Sequence, residues 1–208
     1  MTQLQFITHA TPRYNDIEEI RMALAGGCRW IQLRMKEASD DEVTAVGKTA
    51  SRLCHEHHAT LILDDRVGLC HTIGADGVHL GRHDMPIAEA RSILGRHAII
   101  GATVNTPNDL LHAAEAGADY IGCGPFRFTT TKAHLAPVLG LSGYRRIIEA
   151  KKRNGIEIPI IAIGGIRRDD IAALADTGVE GIAISGCMVN ASDPVEEMKL
   201  ICKSIQRS

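Results

Sequence analysis

The sequence predicts one α/β domain over residues 1–208, a single (β/α)8 TIM barrel, and three observations carry that reading. A helix-ending glycine, a short turn and an apolar strand recur as GGCRWIQLR (26–34), IGADGVHLG (73–81), AGADYIGCG (116–124) and TGVEGIAISG (177–186). Strand and helix patterns alternate strictly, and the strands are apolar enough to be buried on both faces, which implies a parallel sheet. The chain has 208 residues, of which 45% are hydrophobic. That is enough for one core and little for two, and barrels of this kind shrink to about 200 residues.

The elements follow in order. LQFITH (4–9) is the first strand, and HATPRYND after it lacks the G-x-G-x-x-G turn that an open dinucleotide-binding sheet would want. A helix follows over 16–25. In the second strand, 31–36, period-two alternation puts Gln32, Arg34 and Lys36 on one face and Ile31, Leu33 and Met35 on the other. The apolar face belongs under the helices, so the polar face points into the barrel and towards its mouth. Two cations there call for an anion, either a ligand or an internal partner in Asp64 or Asp65. The second helix, 40–57, ends in His55, His57 and His58, where the C-terminal dipole favours positive charge.

TLILDD (60–65) is the third strand and ends in Asp64-Asp65; a helix over 66–73 follows. The fourth strand carries His79, placed to face the site, with Asp84 soon after it and a helix over 87–94. Asp65 and Asp84 on neighbouring loops suit a sparingly ligated Mg²⁺ that bridges to a phosphate. The alternative is that they cap the helices behind them. The fifth strand lies in 98–104 and its helix in 107–116. After the sixth strand, GPFRFTTTK (124–132) opens a βα loop of lid-like length that runs past Pro137 to Gly140. Its hydroxyls, with Lys132, can hold a phosphate. A helix over 143–152 precedes the seventh strand, which ends Ile163-Gly164-Gly165. After a helix over 168–175, the eighth strand ends Ile184-Ser185, and a last helix covers 194–205. Loops after strands seven and eight are the usual phosphate site of this fold.

Composition narrows the partners. The formal charge is −2 with no block of like charge, so neither nucleic acid nor a membrane surface is expected, and anionic ligands need a local cation cluster. The six cysteines lack C-x-x-C spacing, no secretory leader or spanning segment is legible, and a cytoplasmic protein is expected. Oligomeric state is not encoded legibly, and a homo-oligomer is left open.

Six motifs in order, IQLRMK (31–36), LDDRVGL (63–69), ADGVHLGRHD (75–84), GADYIGCGPFRFTTTK (117–132), AIGGI (162–166) and GIAIS (181–185), make the whole chain resemble the thiamine phosphate synthase family. That family joins a pyrimidine methyl diphosphate to a thiazole phosphate and releases pyrophosphate. The resemblance implies that Gln32, Arg34, Lys36 and Lys132 bind the pyrimidine diphosphate and that Asp65 and Asp84 hold Mg²⁺. It implies further that Thr129, Thr130, Thr131, Gly165, Ile184 and Ser185 hold the thiazole phosphate, with Arg34, Lys36 and Lys132 stabilising the leaving group. Three positions depart from the family pattern: Asp64 replaces an Asn, adding charge beside the diphosphate; Thr103-Val104-Asn105 replaces Ser-x-His, keeping the hydroxyl but not the ring; and His9 stands where an acid is common. A sister branch isomerises the thiazole phosphate through that histidine. The residues favour the synthase over the isomerase, with a non-catalytic phosphate-binding relative as a third reading.

Overall fold

The structure, a computed structural model, describes residues 3–129 and 136–206. Among them, eight parallel strands close into a barrel in sequential order: β1 (Gln3–Ile7), β2 (Trp30–Leu33), β3 (Thr60–Asp64), β4 (Gly77–Leu80), β5 (Ile99–Val104), β6 (Tyr120–Cys123), β7 (Ile160–Ile163) and β8 (Gly181–Ile184), which pairs back to β1. Each strand is followed by a helix on the outside: α1 (Asp16–Ala25), α2 (Asp40–Glu56), α3 (Cys70–Ile73), α4 (Ile87–Leu94), α5 (Pro107–Glu115), α6 (Gly140–Arg153) and α7 (Ile171–Ala175), then α8 (Gly186–Val189) and α9 (Pro194–Gln206) after β8. Asn15, Ser39 and Thr106 start α1, α2 and α5 with reciprocal capping boxes, which satisfies backbone N–H groups that a helix start leaves open.

Several boundaries differ from the sequence reading. β2 ends at Leu33, so Arg34 and Lys36 lie in the loop beyond it. The strand stops there because the Arg34 N–H donates to Thr8 Oγ1 at 3.1 Å, a side chain instead of a ladder carbonyl. The third helix is a 3₁₀ turn, Val67–Leu69, joined to the single turn of α3, and a similar turn, Arg168–Asp170, opens α7. α8 was not legible, since four residues carry no periodicity.

The main core lies between strands and helices. A separate cluster of Ile7, Tyr120, Ile161 and Ala183, with Trp30, Ile99 and Ile163 against it, fills the barrel interior. Glycines make room there for two rings. A Cβ on Gly101 would meet the Tyr120 ring at 2.1 Å, and one on Gly122 would meet His79 Cε1 at 2.7 Å. Strand residues alternate faces, and the register sets His79 beside Gly101 and Gly101 beside Tyr120, so ring and void interlock across neighbouring strands.

Candidate active site

A cavity of about 580 Å³ opens at the N-terminal ends of the strands, lined by Gln3, Arg29, Trp30, Thr60, Asp119 and others. Among the described residues its lining holds one carboxylate, Asp119, and one cation, Arg29, rather than a set of them, and Asp119 is already engaged by Arg91 at 2.5 Å and by the Ile100 N–H at 2.7 Å. The opposite mouth does have such a set. Chemistry in this fold sits at that C-terminal face.

The pairing of β2 with β3 sets Leu33 beside Leu63, so the residues that follow emerge side by side. Arg34 Nε lies 3.7 Å from Asp64 Oδ2, and Lys36 Nζ lies 3.2 Å from the same oxygen. Lys36 also reaches Asp65 Oδ2 at 2.5 Å and Asp84 Oδ2 at 3.7 Å. The internal pairing left open by the sequence is therefore formed, and it is formed at the mouth. Burial acts to lower the Lys36 pKa, but Asp64, Asp65 and Asp84 together outweigh it and hold the ammonium above the ordinary lysine range. At Asp64, whose side chain is 9% exposed, burial wins over the attraction of Lys36 and Arg34 and lifts the carboxyl above its usual value.

Asp65 sits at φ 62, in the left-handed region that a non-glycine residue adopts at some cost, and Asp is among the residues that tolerate it best. Its N–H donates to the His79 carbonyl at 2.9 Å. Asp84 Oδ2 accepts from the Gly81 N–H at 2.6 Å. Neither caps the helix behind it: the cap positions are Arg66 and Pro86, and neither has a side-chain cap bond. Among the described residues no three His, Cys, Asp or Glu side chains are arranged so that they alone could hold a metal ion. Two carboxylates beside a cation-filled position fit a hard ion such as Mg²⁺, which keeps water and substrate oxygens in its shell.

Below this cluster a hydrogen-bonded chain runs through the interior. Gln5 Nε2 donates to the Tyr120 hydroxyl at 3.2 Å, which lies 3.0 Å from His79 Nδ1, and His79 Nε2 lies 3.0 Å from Thr103 Oγ1. Gln32 is buried, and its Nε2 has no hydrogen-bond partner. Asn105 donates its amide to the Gly124 carbonyl, tying the end of β5 to the loop after β6.

The loops after β6 and β7 are joined by a clamp that the sequence did not reveal. Arg127 makes a two-pronged bond to Asp170, at 2.5 and 2.8 Å, and donates to the Gly165 carbonyl at 2.9 Å. The Asp170 hydrogen bonds hold that carboxyl below its usual range although burial opposes them. Gly165 has φ 68, and a Cβ there would lie 2.5 Å from Arg127 Cγ, so only glycine fits. Ile184 is buried at the end of β8, and Ser185 Oγ is buried with no hydrogen-bond partner. Thr129 is half-buried at the edge of this region, while Thr130, Thr131 and Lys132 lie outside the described residues.

Other residues were not anticipated. Arg66 contacts Asp65 at 3.4 Å and donates to the carbonyls of Lys36 and Ala38, which fixes the loop beneath Lys36. Glu19 and Asp16 are buried acids on α1. Helical spacing alone gave no sign that these acids face inward. All six cysteines are free, and burial pushes the Cys28, Cys54 and Cys123 thiols up to about 12, which leaves them inert as nucleophiles.

The sequence model of the family described as thiamine monophosphate synthase matches residues 4–188. A thiamine-phosphate synthase of Bacteroides fragilis is 58% identical over 202 residues, covering 97% of this chain and 98% of the relative. One from Pyrococcus furiosus is 40% identical over 193 residues, covering 91% and 90%. The solved thiamine phosphate pyrophosphorylase from Pyrococcus furiosus superposes with a TM-score of 0.87 at 37% identity, covering 99% of this chain and 96% of that one. The chain belongs to the thiamine monophosphate synthase family.

Proposed function

We infer that the chain is a transferase of thiamine biosynthesis. It couples 4-amino-2-methyl-5-pyrimidinylmethyl diphosphate to thiazole phosphate, giving thiamine phosphate and pyrophosphate. The observation that carries this reading is the gathering of Arg34 and Lys36 against Asp64, Asp65 and Asp84 at the barrel mouth. Relatives named thiamine-phosphate synthase at 55–58% identity support it.

Arg34 and Lys36, with Lys132, receive the diphosphate. The bond between its oxygen and the pyrimidine methylene breaks, with the electron pair leaving on oxygen. The electron-rich aminopyrimidine supports the cation-like methylene, and the thiazole nitrogen lone pair then forms the new C–N bond. No side-chain nucleophile is needed, so the protein contributes position and electrostatics. Asp65 and Asp84 would hold Mg²⁺, which supplies charge neutralisation at the leaving group. Gln32, His79 and Thr103 face the pyrimidine side. Ser185, whose buried hydroxyl is unpartnered, joins Gly165, Ile184 and Thr129–Thr131 at the thiazole phosphate. Isomerisation is disfavoured: Asn105 does not titrate, and its amide is engaged with Gly124. The whole reaction is assigned to this one domain in the cytoplasm; no helix among the described residues is long and apolar enough to cross a membrane.

The test is direct. Purified protein with both substrates and Mg²⁺ is expected to form thiamine phosphate and pyrophosphate, with little isomerisation of thiazole phosphate supplied alone. Asp65→Ala and Asp84→Ala are each expected to lower turnover by orders of magnitude, on the scale of several kcal/mol that a catalytic ion supplies. Wild-type turnover and Mg²⁺ dependence in both variants would remove the metal assignment.

A further inference from the structure

One ammonium group serves three carboxylates in this site. Lys36 Nζ lies 2.5 Å from Asp65, 3.2 Å from Asp64 and 3.7 Å from Asp84. Each contact is made to one oxygen, Oδ2, of an acid; Asp64 ends β3, and Asp65 and Asp84 stand in the loops after β3 and β4. Two of them, Asp65 and Asp84, are the residues assigned above to the metal, and the inference rests on that assignment. A divalent cation and an ammonium cannot share these oxygens: at such separations in a half-buried pocket the repulsion between them is strong.

We propose that Lys36 holds the metal's place in the unliganded protein and is handed from the carboxylates to the diphosphate when metal binds, so that metal and diphosphate bind well only together.

The argument is one of charge and reach. A metal ion arriving alone must evict Lys36 and leave it facing a cation with no anion to receive it. A diphosphate arriving alone meets an ammonium already neutralised, with three carboxylates close behind. When both arrive, Asp65 and Asp84 turn to the metal and Lys36 turns to a diphosphate oxygen. Asp64 then stays behind as partner to Arg34, 3.7 Å away. Each ligand relieves a repulsion felt by the other, and such coupling is reciprocal by linkage. Lysine suits the exchange, being a point charge on a flexible four-carbon stem. The backbone beneath it stays fixed, because Arg66 Nη2 donates to the carbonyls of Lys36 at 3.4 Å and Ala38 at 3.1 Å.

The experiment uses Mn²⁺ as a paramagnetic probe and inorganic pyrophosphate as the second ligand. Free Mn²⁺ is followed by electron paramagnetic resonance, with the Mn²⁺–pyrophosphate complex in solution included in the fit. Lys36→Met is expected to bind Mn²⁺ alone at least about tenfold more tightly than the wild type, because a cation within about 4 Å of the ligands is gone. Lys36→Arg keeps the charge and is expected to bind as weakly as the wild type. Pyrophosphate is expected to tighten Mn²⁺ binding strongly in the wild type and by a factor about tenfold smaller in Lys36→Met. Equal or weaker Mn²⁺ binding by Lys36→Met, with Asp65→Asn abolishing it, overturns the exchange and leaves the metal assignment standing. Mn²⁺ binding that survives Asp65→Asn with Asp84→Asn in the Lys36→Met background overturns the metal assignment itself. Circular dichroism of each variant confirms the fold, which this half-exposed loop residue does not anchor.

Discussion

Asp64 Oδ2 stands between Arg34 and Lys36, so a neutral side chain there would leave both cations freer to meet an anion. One charge removed about 6 Å from a solvated diphosphate is worth about 1 kcal/mol, roughly fivefold. Asp64→Asn is therefore expected to lower KM for the pyrimidine diphosphate by about that factor while kcat changes little, a split that steady-state kinetics resolves. The residues of this cluster were legible because alternation and motif spacing put them at strand ends. Arg127 and Asp170 were not, since they lie 43 positions apart and each alone looks like a loop charge. Which oxygen each cation touches also had to come from the structure, because it depends on how β2 and β3 end.

Ring and glycine share volume at the scale of neighbouring strands. Gly122→Ala would press a methyl to 2.7 Å from the His79 ring, which is held on both sides by Tyr120 and Thr103. Overpacking of this kind costs about 1–3 kcal/mol. Urea denaturation is expected to show that loss, and coupling activity to fall with it as Thr103 is displaced. An unchanged denaturation midpoint would mean the interior is looser than its contacts imply. Four strands were readable from glycine-turn-strand recurrence and the other four from their apolar runs, but their lengths were not. β2 was read too long because its polar residues continue the alternation after the ladder has ended at Leu33. α6 was read too short, since Gly140 is an unusual helix start that only the loop anchoring explains, with its N–H bonded to the Phe126 carbonyl at 3.1 Å.

For the whole molecule, stability should carry the signature of one buried acid. Glu19 is fully buried; burial raises its pKa from 4.5 to about 7, against the His9 N–H bond and with a small addition from Asp16. A folded value above the unfolded one means the native state holds the proton more tightly. The stability from this group is thus complete below about 4.5 and lost as pH rises through about 7. The shift corresponds to about 3 kcal/mol. Glu19→Gln, which keeps an acceptor for the His9 N–H, is expected to abolish that slope and to gain on the wild type by about 3 kcal/mol between pH 4.5 and 8 in urea titrations. Parallel curves for the two proteins across this range would rule the effect out. Closure of the barrel was foreseeable from eight units in 208 residues, whereas an acid turned inward on α1 was not, because Asp16, Glu18 and Glu19 read alike as the acidic first turn of a helix.

The interlocked pairs in the barrel interior also constrain the routes by which this protein can change. His79 fills the space above Gly122, and Tyr120 fills the space above Gly101, so neither member of a pair is free to vary by itself. A chain that shrinks the ring first passes through a hollow intermediate that costs a few kcal/mol yet can still fold. A chain that enlarges the glycine first meets the ring at 2.1 Å or 2.7 Å and must shift a side chain held by hydrogen bonds, at a cost of about 1–3 kcal/mol. Either single step is therefore penalised, and descendants with a side chain at position 101 or 122 should carry a smaller residue at 120 or 79.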